Sequence, residues 1–315
     1  MILLKYIIYL SVIAITVLIL YLLRSYKYAT QYKKVDRQAV LNKLEQLLDR
    51  GGNPNALDEK GIPIVIVAAE SGDSQILKLL LKHNANVNIA DKHGFTPLMV
   101  ATLKGHNHMA KLLLEHNADI NAITNNGGYA LMFAAFENNS ELVKLFLEKG
   151  ANPNLQDKTD RHSLFATHNK EIAKLLIDKG ANINLQDNKG INVLMLAAYE
   201  NKPALVQLFL EKGANPNLQE SEGRTALMVT AQKDNPATMQ MLLEHQADIS
   251  IKDRYGLTAL MHAVFKDNIE MTTLLIKAGA NVHIEDANGR TLLDYAKENK
   301  SDEMIKLLEK HIDTI

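Results

Sequence analysis

The sequence contains no cysteine among its 315 residues. This absence excludes disulfide bonds, thiolate zinc sites and cysteine nucleophiles, but it leaves the compartment open because such a chain tolerates reducing and oxidising surroundings alike. The sequence also lacks an HExxH pair, a GxSxG nucleophile elbow, a Walker loop and a GxGxxG turn. We therefore predict that the protein is not an enzyme and uses no cofactor and no small-molecule substrate.

An excess of positive charge is missing from most of the chain. The formal net charge is −1, yet residues 1–37 carry six basic residues and one acid, so the remainder carries −6. Binding to nucleic acid requires a basic face for the phosphates. We therefore predict no nucleic-acid partner.

The eleven histidines do not form a metal-ligating pattern. His83, His116 and His245 recur near the ends of predicted helices, where the helix dipole favours a cation. His106 and His108 lie two positions apart, which does not place them on one helical face. With no thiolate or HExxH partner, the sequence predicts no metal site.

An apolar stretch stands near the N-terminus. Tyr6–Leu23 runs for 18 residues without a charge, and as a helix it would span about 27 Å, close to the thickness of a hydrocarbon core. A cleaved signal peptide would have a shorter apolar run and a neutral cleavage region, whereas Arg24 and Lys27 follow here. We predict a transmembrane anchor over residues 1–24 and a basic juxtamembrane linker over 25–35.

The orientation of this anchor leaves two alternatives. Five basic residues follow the span within 14 positions, whereas Lys5 alone precedes it, and the positive-inside rule then keeps the C-terminal side in the cytoplasm. If Lys5 instead acts as the basic head of a signal anchor, the remaining chain is exported. We favour a single-pass membrane protein with its body facing the cytoplasm, and a periplasmic or other extracytoplasmic location is the alternative.

Beyond residue 35 the sequence repeats itself. The phrase "LFLEKGANPNLQ" occurs at residues 145–156 and again at 208–219, 63 residues apart. Glycines recur at a spacing of 33 residues, except that an aspartate, Asp160, opens one unit and the next glycine follows after 30. Two apolar positions 14 residues apart elsewhere are 11 apart in that unit, so the three missing residues fall in its first helix or in the following turn.

The 33-residue period and the residue pattern within each unit resemble the ankyrin repeat. The matching segments include "GFTPLMVATLKGHNHMAKLLLEHNADINA" at 94–122 and "GRTALMVTAQKDNPATMQMLLEHQADISI" at 223–251, and the resemblance covers roughly residues 36–315. Methionine stands where such units usually have histidine, so we expect apolar packing instead of the usual hydrogen bonds. The fold class is predicted to be all-α, an ankyrin-repeat solenoid of about eight helix-turn-helix units.

The unit boundaries follow from local signals. Threonine precedes several apolar runs as a helix N-cap, and Pro97 follows one of them at the first helical position. The second helices end at glycine or asparagine, which tolerate a left-handed backbone; Gln246 departs from this pattern, and we expect local strain or a different cap there. We predict a partial capping repeat over 36–60, repeats over 61–288 and a C-terminal capping repeat over 289–315. The predicted repeats open at residues 61, 94, 127, 160, 190, 223 and 256.

The resemblance implies a binding face made of the turn tips and the ends of the first helices, on the concave side. Aromatic side chains occupy one helix-end position in three units, at Phe136, Tyr199 and Phe265. Exposed rings suit protein-binding hot spots, although the same rings could pack over neighbouring helices. The candidate residues are Phe95, Leu103, Lys104, Phe136, Glu137, Tyr199, Glu200, Arg224, Lys233, Tyr255, Phe265 and Lys266.

The sequence thus predicts a membrane-tethered, non-catalytic scaffold or adaptor that binds another protein. Two alternatives stay open at this point. One is an exported ankyrin protein that binds an envelope or host partner, and the other is a regulatory subunit of a membrane enzyme.

Overall fold

The computed structural model describes residues 37–58 and 60–312. The predicted anchor at 1–24 and linker at 25–35 lie outside these residues. Within the described ranges, no helix combines the length and apolar character needed to cross a bilayer.

Sixteen α-helices and one short 3₁₀ helix make up the described part of the chain. An unpaired helix comes first, and antiparallel helix pairs follow in every later unit. In chain order they are α1 Arg37–Asp49, α2 Ile64–Ser71, α3 Ser74–Lys82, α4 Pro97–Leu103, α5 Asn107–Glu115, α6 Ala130–Phe136, α7 Ser140–Glu148, the 3₁₀ helix Ser163–Ala166, α8 Lys170–Asp178, α9 Val193–Tyr199, α10 Pro203–Glu211, α11 Ala226–Ala231, α12 Pro236–Glu244, α13 Ala259–Phe265, α14 Ile269–Lys277, α15 Leu292–Glu298 and α16 Asp302–Ile312.

The helices stack in two rows. Each first helix contacts the first helix of the neighbouring unit, and the second helices, with α1 at their start, form a parallel row. One continuous apolar core runs between the rows from Leu48 to Leu308. Each unit covers the apolar side of the next, as expected for a solenoid whose units cannot bury their own surface.

The predicted helix ends are confirmed. Thr96, Thr225 and Thr258 accept a hydrogen bond from the backbone N–H three residues later. The residues after the second helices have left-handed backbones, and Gln246 shares this conformation at φ +62°. Gln246 therefore keeps the cap geometry of its neighbours, in the left-handed region that side chains other than asparagine and glycine seldom adopt.

Methionine packing is also confirmed. Met99, Met195, Met228 and Met261 are buried in the core, and Met132 is half-buried against it. These residues stand at the position that a histidine holds in a typical unit. Thioether side chains fill this space without requiring a hydrogen-bond partner.

Asparagine side chains join successive units along the turns. In each case the side-chain oxygen of one unit accepts the backbone N–H of the next, at 2.7–2.8 Å. This contact explains why the repeated phrase keeps its second asparagine, since Asn154 and Asn217 both act in this way. The acceptors are Asn55, Asn88, Asn121, Asn154, Asn184 and Asn217.

The short unit departs from its neighbours where the sequence predicts. Its first helix is reduced to the four-residue 3₁₀ helix Ser163–Ala166, and the chain then turns through an extended Thr167 into α8. The other complete first helices have six to eight residues. The three missing residues thus remove nearly one α-helical turn from the first-helix row.

Candidate functional site

The predicted binding residues lie at two places in each unit. The tip residues flank the opening glycine, and the helix-end residues follow nine and ten positions later. The tips of successive units are joined by backbone hydrogen bonds, such as Asn125 N–H to the His93 carbonyl and Arg254 N–H to the Glu222 carbonyl, both at 2.9 Å. The candidate positions therefore form continuous rows along the solenoid.

Six of the twelve candidate residues are exposed. Phe136 is 49% exposed, Phe265 50% and Tyr255 52%, and these are large values for rings in a packed chain. Glu137, Lys233 and Lys266 are also exposed. Phe136 and Phe265 are therefore exposed to solvent and are not part of the core.

The other six are half-buried and engaged with neighbours. The Phe95 ring stacks on Phe133 with centroids 5.7 Å apart, and Leu103 packs against the core. Lys104 pairs with Glu70 of the preceding unit at 3.2 Å, Arg224 pairs with Glu220 at 2.9 Å, and Glu200 lies 3.2 Å from His168 Nδ1. Tyr199 is covered by Lys233, whose Nζ lies 4.0 Å from the ring centroid.

The Tyr199–Lys233 contact joins two candidate residues from adjacent units. A cation over an aromatic face gains electrostatic attraction from the ring. Tyr199 thus supports the position of Lys233, whereas Phe136 keeps half of its ring open to solvent.

Phe265 belongs to a cluster that sequence reasoning missed. Its ring meets Tyr295 of the last unit edge-on at 5.9 Å, and Arg290 lies over the other ring at 4.1 Å. The Tyr295 hydroxyl donates to Asp286 at 2.6 Å, and burial, with this carboxylate, raises the pKa of Tyr295 to about 12. Tyr295 therefore stays a neutral hydrogen-bond donor at any physiological pH.

A spacing in the sequence could have revealed this contact. Asp286 and Tyr295 are nine residues apart, as are Asp253 and His262, whose side chains meet at 2.8 Å. In both units the aspartate precedes the unit glycine by three positions and its other oxygen accepts two backbone N–H groups. An aromatic side chain with a hydrogen-bond donor nine residues after this aspartate therefore predicts a turn tip that is bonded to the following helix.

Two titratable groups on the face are perturbed. Although Glu137 as a whole is exposed, the neighbouring protein removes part of the hydration of its carboxylate, and this desolvation raises the pKa of Glu137. The hydrogen bond to Glu200 raises the pKa of His168. Neither group is paired with a nucleophile, and the described residues contain no group of three or more histidine and acidic side chains placed to hold a metal ion.

Comparison with known proteins agrees with this architecture. The family model for ankyrin repeats (3 copies) matches residues 37–124, 163–253, 194–286 and 251–314, and the model for ankyrin repeats (many copies) matches 103–147. Most of the chain is covered, so the protein belongs to the ankyrin repeat family. Members of this family typically serve as non-catalytic protein-interaction modules.

Solved structures support the fold. The chain is similar to the ankyrin repeat domain of Bcl-3, described as a unique member of the IkappaB protein family, with a TM-score of 0.63 and 22% sequence identity. The match covers 69% of this chain and 100% of that one. No curated protein matches the sequence. This likeness concerns the fold alone.

Proposed function

We propose that the protein is a membrane-tethered adaptor that captures a protein partner on the face formed by its turn tips and first-helix ends. One observation carries this proposal: Phe136 and Phe265 occupy the same position of two units and each leaves about half of its surface in solvent. Exposed rings on a rigid scaffold bury much area at small entropic cost when a partner covers them. The apolar run at Tyr6–Leu23 supplies the tether.

Replacing Phe136, Tyr199 and Phe265 with alanine should abolish partner capture and leave helicity nearly unchanged. Hot-spot rings contribute about 2 kcal/mol or more each, roughly a 30-fold loss of affinity per ring. Because the chain has no cysteine, a photo-crosslinker attached through a single introduced cysteine reports one position at a time. A crosslinker next to Phe136, at Glu137→Cys, should give a discrete adduct in cells that the triple alanine variant loses.

Matched positions on the second helices provide the control. Lys144 and Gln207 are exposed there, and crosslinkers at these positions should give no such adduct. Adducts of equal yield from both rows would contradict the proposed face. A melting temperature lowered by many degrees in the triple variant would show that the rings serve mainly as core.

The side of the membrane is testable with a reporter fused after Ile315. We expect activity from a reporter that works only in the cytoplasm, because the basic residues that follow the apolar run favour the cytoplasmic side. Activity only from an exported reporter would replace this proposal with the exported alternative, in which an envelope or host protein is the partner. Moving the basic residues to the N-terminal side of the run should reverse the outcome.

A further inference from the structure

The six large hydrophobic side chains that are exposed in the described residues fall into two groups. Leu47, Leu57 and Ile123 are aliphatic and belong to the units nearest the N-terminus. Phe136, Tyr255 and Phe265 are aromatic and lie further along the chain. The aromatic group belongs to the proposed binding face, and the aliphatic group has no role there.

Two of the aliphatic residues share one position of the repeat. Leu57 and Ile123 each stand four residues before the unit glycine, and Ala90 holds this position between them. We name the eight residues at this position the tip-base row. They are Leu57, Ala90, Ile123, Gln156, Gln186, Gln219, Lys252 and Glu285.

The two halves of the tip-base row have opposite chemistry. In the second half the glutamine and lysine side chains donate to backbone carbonyls: Gln186 Nε2 donates to the Gln219 carbonyl at 3.0 Å, and Gln219 Nε2 to the Lys252 carbonyl at 3.1 Å. These contacts show that neighbouring members of the row adjoin one another. In the first half, Leu57 is 61% exposed, Ile123 57%, and Ala90 is exposed between them.

The first half of the row is therefore an apolar strip that is exposed to solvent at the base of the turn tips. Adjacent helices pack about 8–10 Å apart, so the strip extends roughly 20 Å from Leu57 to Ile123. The exposed lysines Lys60 and Lys92 stand at the neighbouring tips, where the carboxylates of Asp58 and Asp91 each accept two backbone N–H groups. An apolar strip with basic neighbours is the composition of surfaces that rest in a lipid headgroup layer.

The position of the strip in the chain also favours contact with a lipid headgroup layer. Residues 24–36 separate the apolar run from α1, and such a 13-residue segment spans at most about 45 Å when extended. The segment that joins the run to α1 holds Arg24, Lys27, Lys33 and Lys34, and basic juxtamembrane residues are drawn to anionic headgroups at about 1 kcal/mol each. The first units are thus held within reach of the bilayer surface.

We propose that the strip Leu57, Ala90 and Ile123 lies on the surface of an anionic membrane and fixes the orientation of the solenoid relative to it. This inference rests on the proposed tether. Contact at this end leaves the aromatic rings of the later units free to meet a partner. The first units then lie along the bilayer surface, with the bases of their turn tips against it.

The absence of tryptophan allows a direct test. The full chain is reconstituted into vesicles of phosphatidylcholine and phosphatidylserine that contain brominated lipid, with single Leu57→Trp, Ile123→Trp or Gln219→Trp substitutions. The first two variants should lose about half or more of their emission to the bromine atoms, because their rings enter the headgroup layer. Gln219→Trp, in the same row but the polar half, should keep its emission.

Flotation of the vesicles separates the two proposals. Protein that floats while all three tryptophans keep equal emission would overturn the strip and leave the tether standing. Protein that does not float would overturn both. Quenching that persists undiminished in vesicles of phosphatidylcholine alone would overturn the assignment to anionic headgroups.

Discussion

Replacing Arg161 with methionine should lower the free energy of unfolding of the short unit by about 3–5 kcal/mol. Arg161 Nε lies 3.2 Å from Asp187 Oδ2, with 8% and 1% of the two side chains exposed. Burial lowers the pKa of Arg161, and the charge of Asp187 opposes that effect. Removal of the guanidinium would leave the carboxylate of Asp187 buried without its counter-charge. Hydrogen exchange should show faster opening at residues 160–189.

The double variant Arg161→Met with Asp187→Asn tests this explanation. It should recover most of the lost stability, because no buried charge remains and the asparagine oxygen still accepts the N–H groups of Lys189 and Ile191. Lys111→Met is the matched control, since Lys111 and Glu141 form a solvent-exposed pair at 2.8 Å, and water screens such a pair so that its loss changes stability little. Equal losses for Arg161→Met and Lys111→Met would contradict the buried-pair account.

The second large effect is a loss of stability in acid that depends on His162. This side chain is fully buried, neither ring nitrogen has a hydrogen-bond partner in the described structure, and the ring meets Phe165 edge-on at 5.1 Å. Burial lowers the pKa of His162 from 6.5 to about 4. The unfolded chain therefore binds the proton more tightly, and stability falls as the pH drops from about 6.5 to about 4.

The expected loss over this range is about 3 kcal/mol, from 1.4 kcal/mol per pH unit of pKa difference. The substitution His162→Leu, of similar volume, should flatten this part of the stability profile measured by urea unfolding at a series of pH values. His116→Leu removes an exposed histidine and should leave the profile as it is. A profile that keeps its full slope in His162→Leu would assign the acid sensitivity to other groups.

The short unit shows which structural features can be predicted from the sequence and which cannot. The spacing of apolar residues located the missing three residues in the first helix or its turn, and the structure confirms that region. Spacing could not decide between a shortened α-helix and a 3₁₀ helix. That choice depends on packing against α6 and α9, which Leu164 and Phe165 join by entering the core.

For the candidate binding face, the positions of the residues could likewise be predicted from the sequence, but their environments could not. Position within the repeat was enough to place Phe136, Tyr199 and Phe265 at the ends of the first helices. Their environments differ because the next unit differs: Tyr199 meets Lys233, Phe265 meets Tyr295, and Phe136 belongs to the unit that the short unit follows. The sequence alone does not identify the tip-base row, because the hydrogen bonds of its polar half form only between stacked units.

By itself, the sequence determined the period, the helices, their caps and the left-handed positions, because these features depend on interactions between residues a few positions apart. The tertiary structure alone decided which rings remain in solvent, that Arg161 and Asp187 form a buried pair, and that asparagine side chains join the units. These features involve residues about one repeat apart, and the relative placement of such residues is fixed only when the units stack.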